Sequence, residues 1–235
     1  AHGCRPLDGP PRAAESIPMN CWAVVPIKRR SAAKQRLGGR LSPELRLALT
    51  RTMLESVVDA LRNSRGVDRI AFASVERDTI PEEFPVLPDT GGGLNAVLED
   101  ARRTLIARGA GTLLVLPADL PLISAADIDA VVKSGRRGGF ALGADDAGRG
   151  TNALFLRTSA AFRFQFGPDS RARHLEEAMR IGCMPAEVSS PGLSLDVDEP
   201  QDLDRLLAAD DPRYLFLTAG PGGNAWHMQR EMRNG

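Results

Sequence analysis

The sequence contains few cysteines and no long apolar run. Its three cysteines, Cys4, Cys21 and Cys183, form no CxxC pair, which argues against a zinc ribbon and against a disulfide framework. We therefore expect three free, unreactive thiols in a reducing compartment. No run of about 18 apolar residues is present, and residues 1–20 lack the apolar segment of a signal peptide. These absences predict a cytoplasmic protein that does not enter a membrane.

The chain also lacks a net charge. Its 30 Lys and Arg residues balance its 30 Asp and Glu residues, which argues against a general attraction to nucleic acid or to an anionic membrane. The phosphate-binding sequences GxxxxGK[ST] and GxGxxG and the hydrolase sequence GxSxG are absent as well. Any function that depends on charge must therefore come from a local cluster of residues.

Apolar runs of strand length alternate with helical patterns along the chain. The runs lie at 21–27, 69–74, 112–118, 140–144 and 152–156. Their continuous hydrophobicity is typical of strands that are covered on both faces. Helices are predicted over 43–63, 94–108, 125–134, 170–181 and 199–208, the first with Ser42 as N-cap and Pro43 in its first turn. The alternation predicts an α/β fold, a three-layer sandwich around a mostly parallel sheet, with ligands beyond the carboxyl ends of the strands.

The pattern predicts a single domain over residues 21–209. No internal repeat and no low-complexity linker divides this stretch. Residues 1–20, rich in Pro, Gly and Ala, are predicted to be a flexible leader outside the fold. Residues 210–235 are likewise interrupted by Gly and Pro and form a tail of unassigned role, in which 214–217 could add a short strand or pack on the surface.

The segment VVPIKRRSAAKQRLGGR, residues 24–40, contains six basic residues and no acidic one. The basic residues are Lys28, Arg29, Arg30, Lys34, Arg36 and Arg40. After a first strand, lysines as point charges and arginines as bidentate donors are suited to hold a polyphosphate. A solvated basic loop is the alternative interpretation.

A carboxylate follows the apolar strand in LLVLPADLPL, residues 113–122. An ionised Asp119 at this position is costly unless it binds a cation or accepts several hydrogen bonds. Mg²⁺ would suit it, because this ion binds one or two carboxylates together with phosphate oxygens of a substrate. The alternative is a turn-forming Asp ahead of Leu-Pro.

Two further carboxylates stand in LSLDVDEPQDL, residues 193–203. Asp196 and Asp198 alternate as on a strand and would project from one face. A divalent cation would relieve the repulsion between them. Asp198 could instead cap the following helix, since Gln201 lies three residues further on.

Glycines and small polar residues mark two other candidate ligand sites. In DTGGGLNAVLEDA, residues 89–101, glycines allow close approach of a flat ligand, and Asn95 has the donor and acceptor needed to read a base edge. A flexible loop is the alternative. In GRGTNALFL and FGPDSRARH, Ser170 at a helix N-terminus suits a phosphate or carboxylate, unless it is only the N-cap.

Together these stretches resemble the guanylyltransferases of coenzyme F₄₂₀ biosynthesis, the 2-phospho-L-lactate or phosphoenolpyruvate guanylyltransferase family. The resemblance covers residues 22 to about 207 in the family's order. It implies a nucleotide-diphospho-sugar-transferase-like (GT-A-like) fold and a Mg²⁺-dependent reaction. In that reaction a small phosphorylated acid attacks the α-phosphorus of GTP and pyrophosphate leaves.

The resemblance also implies roles for individual residues. Lys28 and Asp119 would be catalytic, and the metal would be held by Asp119, Asp196 and Asp198. The nucleotide would be bound by Lys28, Lys34, Arg36, Gly92 and Asn95, and the phosphorylated acid by Thr151, Gly167 and Ser170. The expected partners are GTP, the acid and the next enzyme of the pathway, without nucleic acid or membrane.

Alternatives remain open at this point. The acid could be 2-phospho-L-lactate, phosphoenolpyruvate or 3-phosphoglycerate. A molybdopterin or sugar-phosphate nucleotidyltransferase would typically carry a glycine-rich loop after the first strand, where this chain has PIKRRSAAKQRL. A nucleotide-binding regulatory protein without catalysis is the remaining alternative.

Overall fold

The computed structural model describes residues 20–27, 34–78, 80–89 and 91–218. The strands are β1 (Cys21–Pro26), β2 (Arg69–Ser74), β3 (Val86–Pro88), β4 (Thr112–Val115), β5 (Gly139–Ala144), β6 (Thr151–Arg157) and β7 (Met184–Val188). The α-helices are α1 (Pro43–Asn63), α2 (Leu94–Ala107), α3 (Ala125–Gly138), α4 (Ser170–Arg180), α5 (Pro191–Ser194) and α6 (Pro200–Ala208). Short 3₁₀ helices cover Gln35–Leu37 and Pro212–Leu217.

The strands form one mixed sheet in the order β3-β2-β1-β4-β6-β5-β7. Only β6 runs against its neighbours: it pairs antiparallel with β4 and β5, whereas the other pairings are parallel. The prediction of a mostly parallel sheet is confirmed. Because β6 is reversed, its first residue, Thr151, lies beside Ala144 at the end of β5. The start of β6 therefore meets the edge of the sheet where the parallel strands end.

Helices cover both faces of the sheet. On β1, Cys21, Ala23 and Val25 belong to a buried cluster with α1 and α3, whereas Trp22 and Val24 belong to a second cluster with α2 and α4. Successive side chains of a strand point to opposite faces, so one apolar strand supplies two cores. The three-layer sandwich predicted from the sequence is confirmed.

A third buried cluster, which we call the lateral cluster, lies beside α1. It contains Leu37, Leu41, Leu49, Met53, Leu195, Val197, Leu203, Leu206 and Tyr214. This cluster packs the segment after β1 against residues 195–197, although the two are far apart in sequence. It is therefore the packing unit that positions the residues around the carboxyl end of β4.

Residue Tyr214 connects the last described segment to this core. Its hydroxyl donates to the carbonyl of Pro121 and bonds to Ser56 Oγ, each at 3.1 Å. The segment 214–217 is part of a 3₁₀ helix and does not form the short strand that the sequence allowed. The Pro121 bond ties this helix to the turn that follows β4.

Several elements match the prediction in detail. Helix α1 covers 43–63, and the Ser42 side chain accepts a hydrogen bond from the N–H of Leu45, as an N-cap does. Strand β2 covers 69–74. Strands β3 and β7 were not predicted, because one has three residues and the other, Met-Pro-Ala-Glu-Val, is a partly exposed edge strand. None of the described helices has the length and apolar character needed to cross a membrane.

Candidate active site

A lysine and two aspartates form the centre of the site. The Lys34 ammonium donates to Asp119 Oδ2 and to Asp198 Oδ1, at 2.8 Å in each case. The Lys34 side chain is 7% exposed, whereas those of Asp119 and Asp198 are 28% and 48% exposed. Asp119 lies in the turn after β4, and Asp198 precedes α6. The pairing therefore joins three segments at the carboxyl edge of the sheet.

The backbone of Lys34 is held in an uncommon conformation. Its φ of 52° and ψ of 36° lie in the left-handed region, which for a residue other than glycine costs on the order of 1 kcal/mol. Three residues later, Leu37 is fully buried in the lateral cluster. The buried anchor and the turned backbone together direct the ammonium to the two carboxylates.

The ammonium of Lys34 stays protonated in this position. Burial by itself would lower its pKa, but the charges of Asp119 and Asp198 outweigh this effect and raise the pKa above the ordinary value. Lys34 is thus a permanent internal cation. Its single positive charge offsets part of the repulsion between the two carboxylates.

The third carboxylate, Asp196, lies next to this pair and has a partner of its own. Asn152 donates from Nδ2 to Asp196 Oδ1 at 3.2 Å and to the carbonyl of Leu193 at 3.0 Å. The pKa of Asp196 is raised, first by burial and then by the negative charges of Asp119 and Asp198. The three aspartates therefore lie close enough to influence one another.

The segment that carries Asp196 and Asp198 differs from its prediction in two ways. Residues 195–198 form no strand, although Leu195 and Val197 are buried and the two aspartates between and after them are half-buried. The cap of α6 is Glu199, in a reciprocal capping box with Asp202. The capping role considered for Asp198 is therefore wrong, and its carboxylate faces Lys34 instead.

The donor set around Lys34 fits a hard divalent cation in its chemistry. Two carboxylate oxygens from different segments converge on one point, and Mg²⁺ commonly takes one or two carboxylates and completes its shell with water and phosphate oxygens. Within the described ranges, no group of three or more Asp, Glu, His or Cys side chains is arranged to hold an ion. The Lys34 ammonium occupies the point on which Asp119 and Asp198 converge, and a metal ion held by Asp119, Asp196 and Asp198 stays a prediction.

The predicted phosphate-binding residues divide into three cases. Lys28 lies outside the described residues. Lys34 is in the centre of the site, as described above. Arg36 is 72% exposed and donates from Nη1 to Glu199 Oε1 at 3.1 Å. Contacts of these side chains with a nucleotide stay predictions.

The glycine loop adopts a conformation that requires glycine. Gly91, Gly92 and Gly93 have φ values of 89°, 85° and 86°, a region that side chains rarely permit. The loop follows β3 and leads into α2, so it lies at the same edge of the sheet as the lysine. Asn95, in the first turn of α2, bonds to the backbone of Phe166. Its role in reading a base stays a prediction.

The three residues predicted for the acid lie together. Ser170, the first residue of α4, donates from Oγ to Thr151 Oγ1 at 3.2 Å, and its N–H donates to the carbonyl of Gly167 at 3.2 Å. The residue at the N-cap is Asp169, which makes no side-chain cap bond. The interpretation of Ser170 as a simple N-cap is therefore wrong. Contact of the three with an acid stays a prediction.

A buried histidine, His174, completes this cluster; from the sequence it could bind substrate, although a packed or surface role was the favoured interpretation. His174 Nε2 accepts from the N–H of Gln165 at 2.9 Å, and Nδ1 lies 3.0 Å from Thr151 Oγ1. A backbone N–H can only donate, so a neutral ring must carry its proton on Nδ1 and donate it to Thr151. The signal available in the sequence was that His174 is the single histidine between residues 20 and 218.

We expect His174 to make the protein less stable as the pH is lowered. Burial lowers its pKa from 6.5 to about 4, and the charge of Glu177 only partly offsets this. The unfolded chain binds a proton more readily, so stability is present above the unfolded pKa and is lost as pH falls below it. Between pH 7 and pH 5 the loss should be about 2 kcal/mol.

Urea unfolding of the wild type and of His174→Gln at both pH values measures this effect. Gln can accept from the N–H of Gln165 but does not titrate, so the variant should lose less stability than the wild type over the same range. An equal loss in both proteins would contradict the assignment.

Comparison with known proteins gives a consistent picture. A family model described as "Guanylyl transferase CofC like" matches residues 21–214. A phosphoenolpyruvate guanylyltransferase of Rubrobacter xylanophilus is 43% identical over 201 residues, covering 83% of this chain and 98% of the relative. A 2-phospho-L-lactate guanylyltransferase of Methanothermobacter thermautotrophicus is 33% identical over 194 residues, covering 80% and 85%.

Similarity to solved structures concerns the fold. A protein of Desulfovibrio desulfuricans G20 described as a nucleotide-diphospho-sugar transferase superposes with a TM-score of 0.67 at 15% identity. The match covers 84% of this chain and 94% of that one. The nucleotide-diphospho-sugar-transferase-like architecture predicted from the sequence is confirmed.

Proposed function

The chain belongs to the CofC-like family of guanylyl transferases and is a nucleotidyltransferase, and we propose that it joins GMP from GTP to a small phosphorylated carboxylic acid. The observation that supports this is a single sheet edge that carries the Lys34, Asp119 and Asp198 centre together with the cluster of Thr151 and Ser170. Phosphoenolpyruvate is the first candidate for the acid, followed by 2-phospho-L-lactate, because these acids are named in the relatives. 3-Phosphoglycerate is the third candidate.

The proposed reaction is an in-line displacement at phosphorus. A phosphate oxygen of the acid forms a bond to the α-phosphorus of GTP, the bond from this phosphorus to the bridging oxygen breaks, and pyrophosphate leaves with the electron pair. The attacking phosphate is already an anion near neutral pH, so the chain needs no general base. Such reactions depend mainly on positioning and on neutralisation of charge.

We propose that Asp119 and Asp198, with Asp196 beside them, hold Mg²⁺ together with the phosphate oxygens of GTP. When bound, the ion would orient the phosphates and neutralise the charge that develops on them. The Lys34 ammonium occupies the point on which these carboxylates converge, at 2.8 Å from each. Lys34 therefore has to leave the carboxylates when the ion binds, and the triphosphate offers it a new anionic partner.

The acid is proposed to bind where α4 begins. A helix N-terminus favours anions, because its dipole places partial positive charge there. The N–H groups of Ser170 and Arg171 already donate to the carbonyls of Gly167 and Arg149, so a side-chain donor has to supply the direct hydrogen bond. The Thr151 oxygen accepts from His174 and from Ser170, which leaves the hydrogen of its own hydroxyl available to an anion. This set would bind the carboxylate or phosphate of the acid.

The test is the release of pyrophosphate. The purified protein is incubated with GTP, Mg²⁺ and each of the three acids, and product is measured with and without the next enzyme of the F₄₂₀ pathway, in which we place this reaction. We expect release only when GTP, the ion and one acid are all present. Turnover with sugar phosphates would favour another nucleotidyltransferase, and GTP binding without turnover would favour a regulatory protein.

We also propose that this reaction takes place in the cytoplasm. The proposal rests on the low cysteine content and on the absence of a long apolar run. The test is to fuse the protein to a fluorescent label, fractionate the host cells and measure the label in each fraction. Recovery of the label in a membrane or extracellular fraction would contradict it.

A further inference from the structure

The side chain of Asn95 connects two parts of the site. It lies in the first turn of α2, two residues after the glycine loop at 91–93. Its Oδ1 accepts from the N–H of Phe166 at 2.7 Å, and its Nδ2 donates to the carbonyl of the same residue at 3.1 Å. The amide thus pairs with both polar groups of one residue, directly before Gly167.

The segment around Phe166 is also held by α4. The N–H of Gln165 donates to His174 Nε2 at 2.9 Å, and the rings of Phe166 and His174 lie 4.7 Å apart between centroids. Upstream, Arg102 of α2 donates to the carbonyls of Ala160 and Phe162. The segment is therefore clamped between α2, which carries the glycine loop, and α4, which carries Ser170.

Gly167, the residue after Phe166, has an unusual backbone conformation. Gly167 is exposed, and its φ is 128°, a conformation that is open mainly to glycine. The position of Gly167 and Ser170 therefore depends on the residues bonded on each side: Phe166, which is bonded to Asn95, and Ser170, which is bonded to Thr151. Asn95 supplies that constraint on the side of the glycine loop.

We propose that Asn95 is a positioning residue that couples the glycine loop, where the nucleotide would bind, to residues 166–170, where the acid would bind. In this role it does not read the guanine base. This inference rests on the proposed function. A nucleotide that fixes the first turn of α2 also fixes Phe166 through the two amide bonds, and thereby Gly167. The coupling is reciprocal, so each substrate strengthens the binding of the other.

Reading a base edge with both the oxygen and the nitrogen of the Asn95 amide would require that edge of the amide to leave Phe166. Two hydrogen bonds would break, and the N–H and carbonyl of Phe166 would each need a new partner. The positioning role keeps both bonds, which is why the geometry favours it.

The inference is tested by the kinetics of Asn95→Leu and Asn95→Asp. Leu removes both bonds, while Asp can still accept from the N–H of Phe166 but cannot donate to its carbonyl. We expect the KM for the acid to rise about 10- to 30-fold in Asn95→Leu and by a smaller factor in Asn95→Asp. The preference for GTP over ATP in kcat/KM should stay within about 2-fold of the wild type.

The control is Arg103→Gln, which changes an exposed side chain of the same helix and should leave all these constants unchanged. An unchanged KM for the acid in Asn95→Leu would overturn the inference. So would a collapse of the preference for GTP over ATP, which is the result expected of a residue that reads the base.

A second measurement does not depend on turnover. Amide hydrogen exchange over residues 165–170 should be faster in Asn95→Leu than in the wild type, and GTP should slow it in the wild type but not in the variant. Equal GTP-induced protection in both proteins would overturn the coupling. If the wild type transferred GMP to none of the acids, the proposed function would fail, while this exchange measurement would still decide the coupling.

Discussion

Asp119→Asn should reduce kcat by about 1000-fold or more. Asp119 Oδ2 is one of the two carboxylate oxygens that converge on the Lys34 ammonium. The amide removes one of the negative charges that would attract a divalent ion to this point and keeps the size of the side chain. The fold should survive, because the backbone carbonyl of residue 119, which accepts from the N–H of Val197, is unaffected.

Pyrophosphate release at increasing Mg²⁺ concentrations measures this loss. The matched control is Asp204→Asn, which removes a carboxylate from an exposed ion pair with Arg40 and should leave turnover unchanged. Near-normal activity of Asp119→Asn at saturating Mg²⁺ would exclude a catalytic role for this aspartate.

Lys34→Met should change two properties in opposite directions. Without the ammonium, Asp119 and Asp198 lose their internal counter-ion and repel each other, so the affinity of the nucleotide-free protein for Mn²⁺ should rise about 10-fold. The kcat/KM for GTP should fall by about 100-fold, because the triphosphate loses a cationic partner. A loss of stability alone would lower both properties.

Isothermal titration with Mn²⁺ in the absence of nucleotide, followed by steady-state kinetics, tests this pair of effects. Arg40→Met is the control, since Arg40 is a cation of the same segment whose partner is Asp204 on the outer side of α6. The idea that Lys34 occupies the position of the cation fails if Lys34→Met binds Mn²⁺ no more tightly than the wild type.

Much of the fold was predictable because it depends on local patterns. Helix α1 has a Ser-Pro start and a regular apolar spacing, and its predicted bounds are those observed. The central strands are continuous apolar runs. The edge strand β7 and the short β3 lack that signal, since hydrogen bonding to a neighbouring strand alone defines them.

The sequence indicated candidate residues for the site but not the contacts between them. The sequence indicated Asp119 because an ionised carboxylate after a buried strand needs a partner, and Asp196 and Asp198 because they alternate as on a strand and would repel each other. It did not indicate that this partner is Lys34, since Lys34 is separated from Asp198 by 164 positions. For the same reason the sequence did not indicate that the Asn95 amide pairs with Phe166, 71 positions away.

The amino-acid sequence alone determined the class of fold, the family and the residue types available for phosphate chemistry. Periodicity, helix caps and short motifs depend on a few neighbouring residues, so they can be recognised without a structure. Tertiary structure decided which cation pairs with which carboxylate and how the glycine loop is joined to the segment around Phe166. These contacts depend on how the lateral cluster packs and on how α2 and α4 hold the segment around Phe166. Packing between distant segments leaves no local pattern in the chain.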